Sequence, residues 1–262
     1  TTNNILGVEL VLMDGEIVRL GGKYLDSEGY DLLGVITGSE GLLGIITEVT
    51  VRILKKPEIA KALLLGFETN ESAGNCVAEV ISAGIIPGGM EMMDTFAIRA
   101  AEDFVHAGYP LNVAALLIIE LDGPAVEVDH LIEKVTNIAE NIGAIHIKIS
   151  SSEAERERFW SGRKAAFPAV GRISPDYICM DGTIPRNKLS FVLNELAALS
   201  ESYGLRCANV FHAGDGNLHP LILFDSNNPG ELEKAEKFGA DILKLCFSVG
   251  GVLKLGPKKM DT

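Results

Sequence analysis

Two histidines, His212 and His219, stand seven residues apart in Phe211-His212-Ala213-Gly214-Asp215-Gly216-Asn217-Leu218-His219-Pro220. Neutral imidazole is the commonest protein metal ligand near pH 7. Apolar, strand-like runs over 207–211 and 218–224 flank the Gly-Asp-Gly turn. A hairpin built from them brings both imidazoles toward one end of a sheet. Two histidines fall short of the three protein ligands that a catalytic ion usually takes. Two readings therefore stand: part of a metal site, or a polar hairpin whose histidines hydrogen-bond the loop. The second candidate is Arg163, close to the single tryptophan in Phe159-Trp160-Ser161-Gly162-Arg163. A guanidinium there can clamp a carboxylate with two parallel hydrogen bonds, or it can be a surface arginine paired with a nearby glutamate. Arg172 is a weaker candidate of the same kind.

The remaining chain must position these groups. At the N-terminal end, apolar runs over 8–12 and 16–20 flank Met13-Asp14-Gly15, a hairpin signal because Asp and Gly tolerate positive φ. Gly38, Gly41 and Gly44 then punctuate Gly-Ser-Glu-Gly-Leu-Leu-Gly-Ile-Ile-Thr. Their exposed N–H groups suit a phosphate or a flavin edge, or they make a tight turn before the strand over 45–53. Lys55-Lys56-Pro57 marks a boundary, giving domains 1–57 and 58–262. Beyond it, strands are expected over 62–67, 90–93, 113–121, 145–149 and 178–184. Met90 to Met93 reads as core or as a soft pocket wall. Helices are expected over 71–83, from Asp94 or Thr95 to Val105, over 124–142, from a cap in Ser150-Ser151-Ser152 to about Gly162, from Pro185 to Tyr203, and to about Val249. His146, inside a strand, is read as solvent-facing or structural.

Composition narrows the function classes. The 262 residues carry a net charge of −13, with 47% hydrophobic and 23% charged residues. That balance is ordinary for a globular protein, and it argues against a nucleic-acid surface or a polybasic membrane contact. No apolar run is long enough to span a membrane, and no signal-peptide pattern appears. Cys76, Cys179, Cys207 and Cys246 are widely spaced and read as reduced thiols of a cytoplasmic protein.

The histidine segment resembles the His-x-Gly-Asp-Gly-Asn-Leu-His signature of FAD-linked 2-hydroxyacid oxidoreductases, in the vanillyl-alcohol-oxidase-like superfamily. That family includes the flavin-bearing subunit of bacterial glycolate oxidase, D-lactate dehydrogenases and D-2-hydroxyglutarate dehydrogenase. The resemblance implies that His212 and His219 bind a divalent ion, zinc or manganese, which holds the substrate's carboxylate and hydroxyl oxygens. Phe159-Trp160-Ser161-Gly162-Arg163 is similar to the family's Phe/Leu-Trp-x-x-Arg motif, which implies that Arg163 binds the substrate carboxylate. Gly-Ser-Glu-Gly-Leu-Leu-Gly-Ile-Ile-Thr resembles the closing segment of the FAD-binding domain. It implies FAD contacts at Glu40, Gly41, Leu42, Leu43, Gly44, Ile45 and Ile46.

The implied fold is α/β in the α+β sense. It joins the tail of an FAD-binding domain to a ferredoxin-like domain with an antiparallel sheet and helices on one face. The implied activity is oxidation of glycolate or D-lactate to the 2-oxo acid. Partner subunits of a glycolate oxidase complex are implied too, with at most peripheral attachment to the inner membrane. The family continues Gly250-Gly251-Val252-Leu253 with Thr-Gly-Glu-His-Gly, whose Glu is a third metal ligand and whose His is the proton acceptor. Here Lys254-Leu255-Gly256-Pro257 follows instead, so no catalytic base is assigned. The family's pyrophosphate loop has no counterpart either. The expectation is thus the later half of a family member, inactive by itself. The alternative is a non-catalytic domain that binds metal or carboxylate, or docks to subunits.

Overall fold

The computed structural model describes residues 2–24, 29–253 and 258–259, and its contacts divide the chain into two units, Thr1–Lys56 and Pro57–Thr262. In the first unit β1 (Ile5–Val11) and β2 (Ile17–Gly21) form the expected hairpin. Gly15 adopts φ +88°, and the Asp14 carboxylate accepts from Glu16 N at 3.0 Å, so the turn closes through the two residues that tolerate it. A short helix, α1 (Leu32–Ile36), follows, capped by Asp31. The next strand, β3 (Ile45–Val51), pairs antiparallel with β1, giving the order β2-β1-β3. Val8, Leu10 and Ile36 are its buried core. Ile45, Ile46, Val49 and Val51 stay exposed along β3.

The second unit runs β4 (Ile59–Phe67), α2 (Asn70–Ser82), β5 (Gly89–Asp94), α3 (Thr95–Val105), β6 (Ala115–Gly123), α4 (Ala125–Ile142) and β7 (His146–Ile149). It continues α5 (Glu153–Gly171), β8 (Asp176–Cys179), β9 (Gly182–Thr183), α6 (Leu189–Tyr203), β10 (Cys207–Phe211), β11 (Asn217–Leu218), β12 (Pro220–Phe224), α7 (Glu231–Ser248), β13 (Val252–Leu253) and β14 (Lys258–Lys259). One large antiparallel sheet has the order β14-β8-β12-β10-β5-β6-β4-β7, and a small one the order β11-β9-β13. The large sheet is a doubled motif. A β-α-β-β-α-β pattern appears once as β4, α2, β5, β6, α4, β7 and again as β8, α6, β10, β12, α7, β14. In each half the spatial order is fourth, first, third, second strand. The halves join where β5 pairs with β10, with Met92 opposite Phe211 and Met93 opposite Val210.

Helices cover both faces of this sheet, which corrects the expectation of helices on one face. The buried sides of α2, α4, α6 and α7 pack with Leu63, Leu65, Phe67, Met90 and Met92. Those of α3 and α5 pack with Ala62, Leu64 and Met93 on the opposite face. The physical cause lies in β4 and β6, whose runs Ala62–Phe67 and Ala115–Ile119 are buried at nearly every position. A strand apolar on both faces must be covered on both.

Two further expectations shift. The strand expected over 178–184 breaks into β8 and β9. The helix expected to end near Gly162 runs on as α5 to Gly171, through Pro168. An interior proline removes a hydrogen bond and costs about 3 kcal/mol or more. Here Phe159, Ala166, Ala169 and Val170 are buried along one side of α5, and that burial outweighs the break.

Candidate functional site

The join of the two halves places the chemistry. Glu91 is the third residue of β5, between Met90 and Met92. Because strand side chains alternate, it faces the α3/α5 layer while the two methionines face the other. The pairing of Met92 with Phe211, extended by one residue, brings His212 opposite Glu91. The strand ends there: His212 bridges to Asn217 across the Gly-Asp-Gly turn, and Gly214 N donates to Met90 O at 3.0 Å. Gly216 adopts φ +71°, and a Cβ there would come within 2.5 Å of Ile184 O, so glycine is required at this turn.

One carboxylate links both sequence-derived candidates. Glu91 Oε1 lies 2.7 Å from His212 Nδ1, and Glu91 Oε2 accepts from Arg163 Nε at 2.9 Å. The Glu91 and Arg163 side chains are 11% and 9% exposed, whereas His212 is 43% exposed. The carboxylate therefore pairs with a buried guanidinium on one side and a half-open imidazole on the other. Its hydrogen bond holds the His212 pKa above the ordinary histidine value, against the opposing effect of burial. Among the described residues Arg163 Nη1 and Nη2 meet no hydrogen-bond acceptor.

His212 and His219 do come together. Their ring centroids are 5.1 Å apart with planes at 87°. His219 Nδ1 is 3.8 Å from Asp181 Oδ1, and its Nε2 is 3.4 Å from Asn217 Nδ2. Phe167, one turn beyond Arg163 on α5, sets its ring edge-on to His219 at 6.2 Å. The two imidazoles thus fit two corners of a small metal site. A third donor is not present among the described residues, where no group of three metal-binding side chains occurs. The stretch over 254–257 and 260–262, where the family's Glu and His are missing, lies outside the described residues.

The turn of α5 that carries Arg163 is held from below. Tyr109 donates its hydroxyl proton to Phe159 O and occupies the space that a side chain at Gly162 would need. Trp160 is a brace: its Nε1 donates to Glu120 Oε2 at 2.6 Å, and its ring packs against Gly89 at the start of β5. Arg172 is not gathered in. It lies nine residues past Arg163, roughly 13 Å along a helix axis, with its guanidinium 5.2 Å from the Phe104 ring centroid. His146 is half-buried in β7, and its buried Nε2 meets no hydrogen-bond partner among the described residues. Glu40 to Ile46 lie in the first unit, where Glu40, Gly41 and Gly44 take positive φ and Leu42 and Ile45 are 84% and 66% exposed. Burial pushes the Cys76 thiol up to about 12 and Cys246 up to about 11, so neither serves as a nucleophile near neutrality.

Sequence reasoning missed Glu91. Its signal was a single charged residue in Met90-Glu91-Met92-Met93, because glutamate is almost never buried unless paired.

The chain is 57% identical over 251 residues to the glycolate oxidase subunit GlcD of Escherichia coli, covering 96% of this chain and 50% of that protein. It is 35% identical to GlcD of Bacillus subtilis, covering 97% and 54%, and 29% identical to D-lactate dehydrogenase of Archaeoglobus fulgidus, covering 96% and 55%. The chain therefore spans about half the length of these relatives. In fold it is similar to 4-ethylphenol oxidase from Gulosibacter chungangensis, with a TM-score of 0.72 at 15% identity over 96% of this chain and 57% of that one. It is also similar to p-cresol methylhydroxylase, with a TM-score of 0.70 at 17% identity over 96% and 57%. Among the described residues no helix is long and apolar enough to cross a membrane. Residues 56–254 match the model of the C-terminal domain of FAD-linked oxidases, and the chain belongs to that family.

Proposed function

We propose that this chain is the substrate-holding part of a flavin-dependent oxidoreductase that converts a small 2-hydroxy acid, glycolate or D-lactate, to the 2-oxo acid. The observation that carries this reading is the Arg163–Glu91–His212 linkage, with Nε bound and the Nη groups meeting no acceptor among the described residues. A guanidinium fixed through Nε keeps its outer N–H groups for a carboxylate. Burial strengthens that attraction, because little water screens it. The half-open His212 beside His219 suits the hydroxyl end of the same molecule, and Phe167 beside His219 makes one wall apolar.

When bound, FAD supplies the two-electron acceptor and a divalent ion at His212 and His219 supplies a Lewis acid. Arg163 neutralises the carboxylate and fixes the acid's orientation. His212 and His219 hold the hydroxyl side. No described residue is assigned the proton transfer from the hydroxyl. In the first unit, the exposed leucine and isoleucine side chains between Glu40 and Ile46 suit the flat apolar face of a flavin. The relatives named as glycolate oxidase subunits favour partner subunits; a cytoplasmic location, with any attachment to the inner membrane made through those partners, is part of the same proposal.

The test is anaerobic titration of the intact, purified protein with glycolate and with D-lactate. Bleaching of a flavin band with stoichiometric 2-oxo acid is expected. Absence of bleaching and of 2-oxo acid with both substrates would overturn the reading.

A further inference from the structure

We propose that Glu91 is a positioning residue that orients the two halves of the substrate site at once: the fork of Arg163 and the metal-facing nitrogen of His212. The inference rests on the functional reading above and gives a role to the carboxylate that links its two ends. Glu91 comes from β5, Arg163 from α5 and His212 from the end of β10, three elements that meet only at the join of the two halves. The carboxylate meets Arg163 Nε at 2.9 Å and His212 Nδ1 at 2.7 Å, one oxygen to each. An ionised carboxylate accepts at both oxygens. It therefore suits two donors, the Arg163 Nε–H and a His212 Nδ1–H.

That arrangement selects one tautomer of neutral His212. With the proton on Nδ1, the lone pair is on Nε2, the ring position away from Glu91 and available to an ion. A carboxylate on the far nitrogen is the usual way a metal-binding histidine is aimed. The same carboxylate holds the guanidinium through Nε, leaving both Nη groups for substrate. The backbone on the N-terminal side of Glu91 is held: Gly89 sits against the Trp160 ring, and Met90 O accepts from Gly214 N at 3.0 Å.

Glu91→Gln tests this, because an amide accepts at one atom and donates at the other. It can serve only one of the two donors and turns an N–H toward the second. In the intact protein, Glu91→Gln should weaken Zn²⁺ binding about 10- to 100-fold by calorimetry. It should also raise KM for glycolate or D-lactate. His212→Ala and Arg163→Lys serve as references for the underlying reading. If those two leave Zn²⁺ affinity and KM unchanged, the functional reading falls and this inference with it. If they change both and Glu91→Gln changes neither, the positioning role alone is overturned. A readout independent of any variant's folding is the ¹⁵N spectrum of histidine-labelled wild-type protein without metal. Neutral His212 should carry its proton on Nδ1; a proton on Nε2 would overturn the proposal.

Discussion

The imidazoles of His212 and His219 cross nearly at right angles with their centroids 5.1 Å apart, although each hangs on a different strand end of one hairpin. Two such rings can share an ion at ~2.0–2.1 Å from each nitrogen. Because the described residues offer no third side-chain donor, the 262-residue chain should bind Zn²⁺ or Mn²⁺ weakly. His219→Ala should reduce that affinity about tenfold or more, roughly 1.4 kcal/mol. Adding the family's Gly-Glu-His-Gly segment should tighten binding, and His219→Ala should remove the gain. Equal calorimetric affinities for all four proteins would make the hairpin a structural turn.

Arg163→Lys in the intact protein should lower kcat/KM for glycolate or D-lactate roughly 10- to 100-fold, about 1.4–2.7 kcal/mol. Lysine keeps the charge and loses the planar fork that meets Glu91 on one side and substrate on the other. Arg172→Lys, on the Phe104 ring, should change kcat/KM by less than about twofold, as surface substitutions usually do. Steady-state kinetics on both variants decides between them. Equal losses would place Arg172 in the site.

Gly162→Ala should destabilise the protein by about 1–3 kcal/mol, the usual cost of overpacking. A Cβ there runs into the Tyr109 ring, which is pinned by its hydrogen bond to Phe159 O. Urea denaturation followed by circular dichroism measures the cost. A midpoint unchanged from wild type would mean that Tyr109 moves aside freely.

Glu155, in the first turn of α5, ties that helix to β7. Its carboxylate binds Lys148 Nζ at 2.8 Å, Ser151 N at 2.9 Å and Ser151 Oγ at 2.7 Å. The Lys148 bond first, then the Ser151 bonds, hold its pKa down to about 2 from an ordinary 4.5. A carboxylate lowered in the folded state stabilises above its unfolded value and loses that contribution as pH falls through the folded one. Glu155→Gln should therefore be less stable than wild type near neutral pH. The gap should narrow as pH drops from about 4.5 toward about 2. Paired urea melts across that range check it; a gap independent of pH would assign Glu155 no linked role.

What could be read from the chain alone was what depends on neighbours in sequence. The Asp14-Gly15 and Gly214-Asp215-Gly216 turns follow from residues that accept positive φ, and the strand and helix runs follow from hydrophobic period. The nearness of His212 and His219 follows from one hairpin. The family motifs carried Arg163 as well. The continuation of α5 past Gly162 was not legible, because it rests on the burial of Ala166, Ala169 and Val170 against the sheet, which holds the helix through Pro168. Nor was the second helix layer, which depends on how β4 and β6 are covered rather than on any helix's own pattern. Above all, the chain could not name the partner shared by its substrate-binding and metal-binding candidates. Glu91 lies 72 residues from Arg163 and 121 from His212. Only the pairing of β5 with β10, which joins two halves that each fold by local rules, brings that carboxylate between them. Sequence periodicity marks which face of a strand is buried, but which distant strand lies beside it is decided by the tertiary structure.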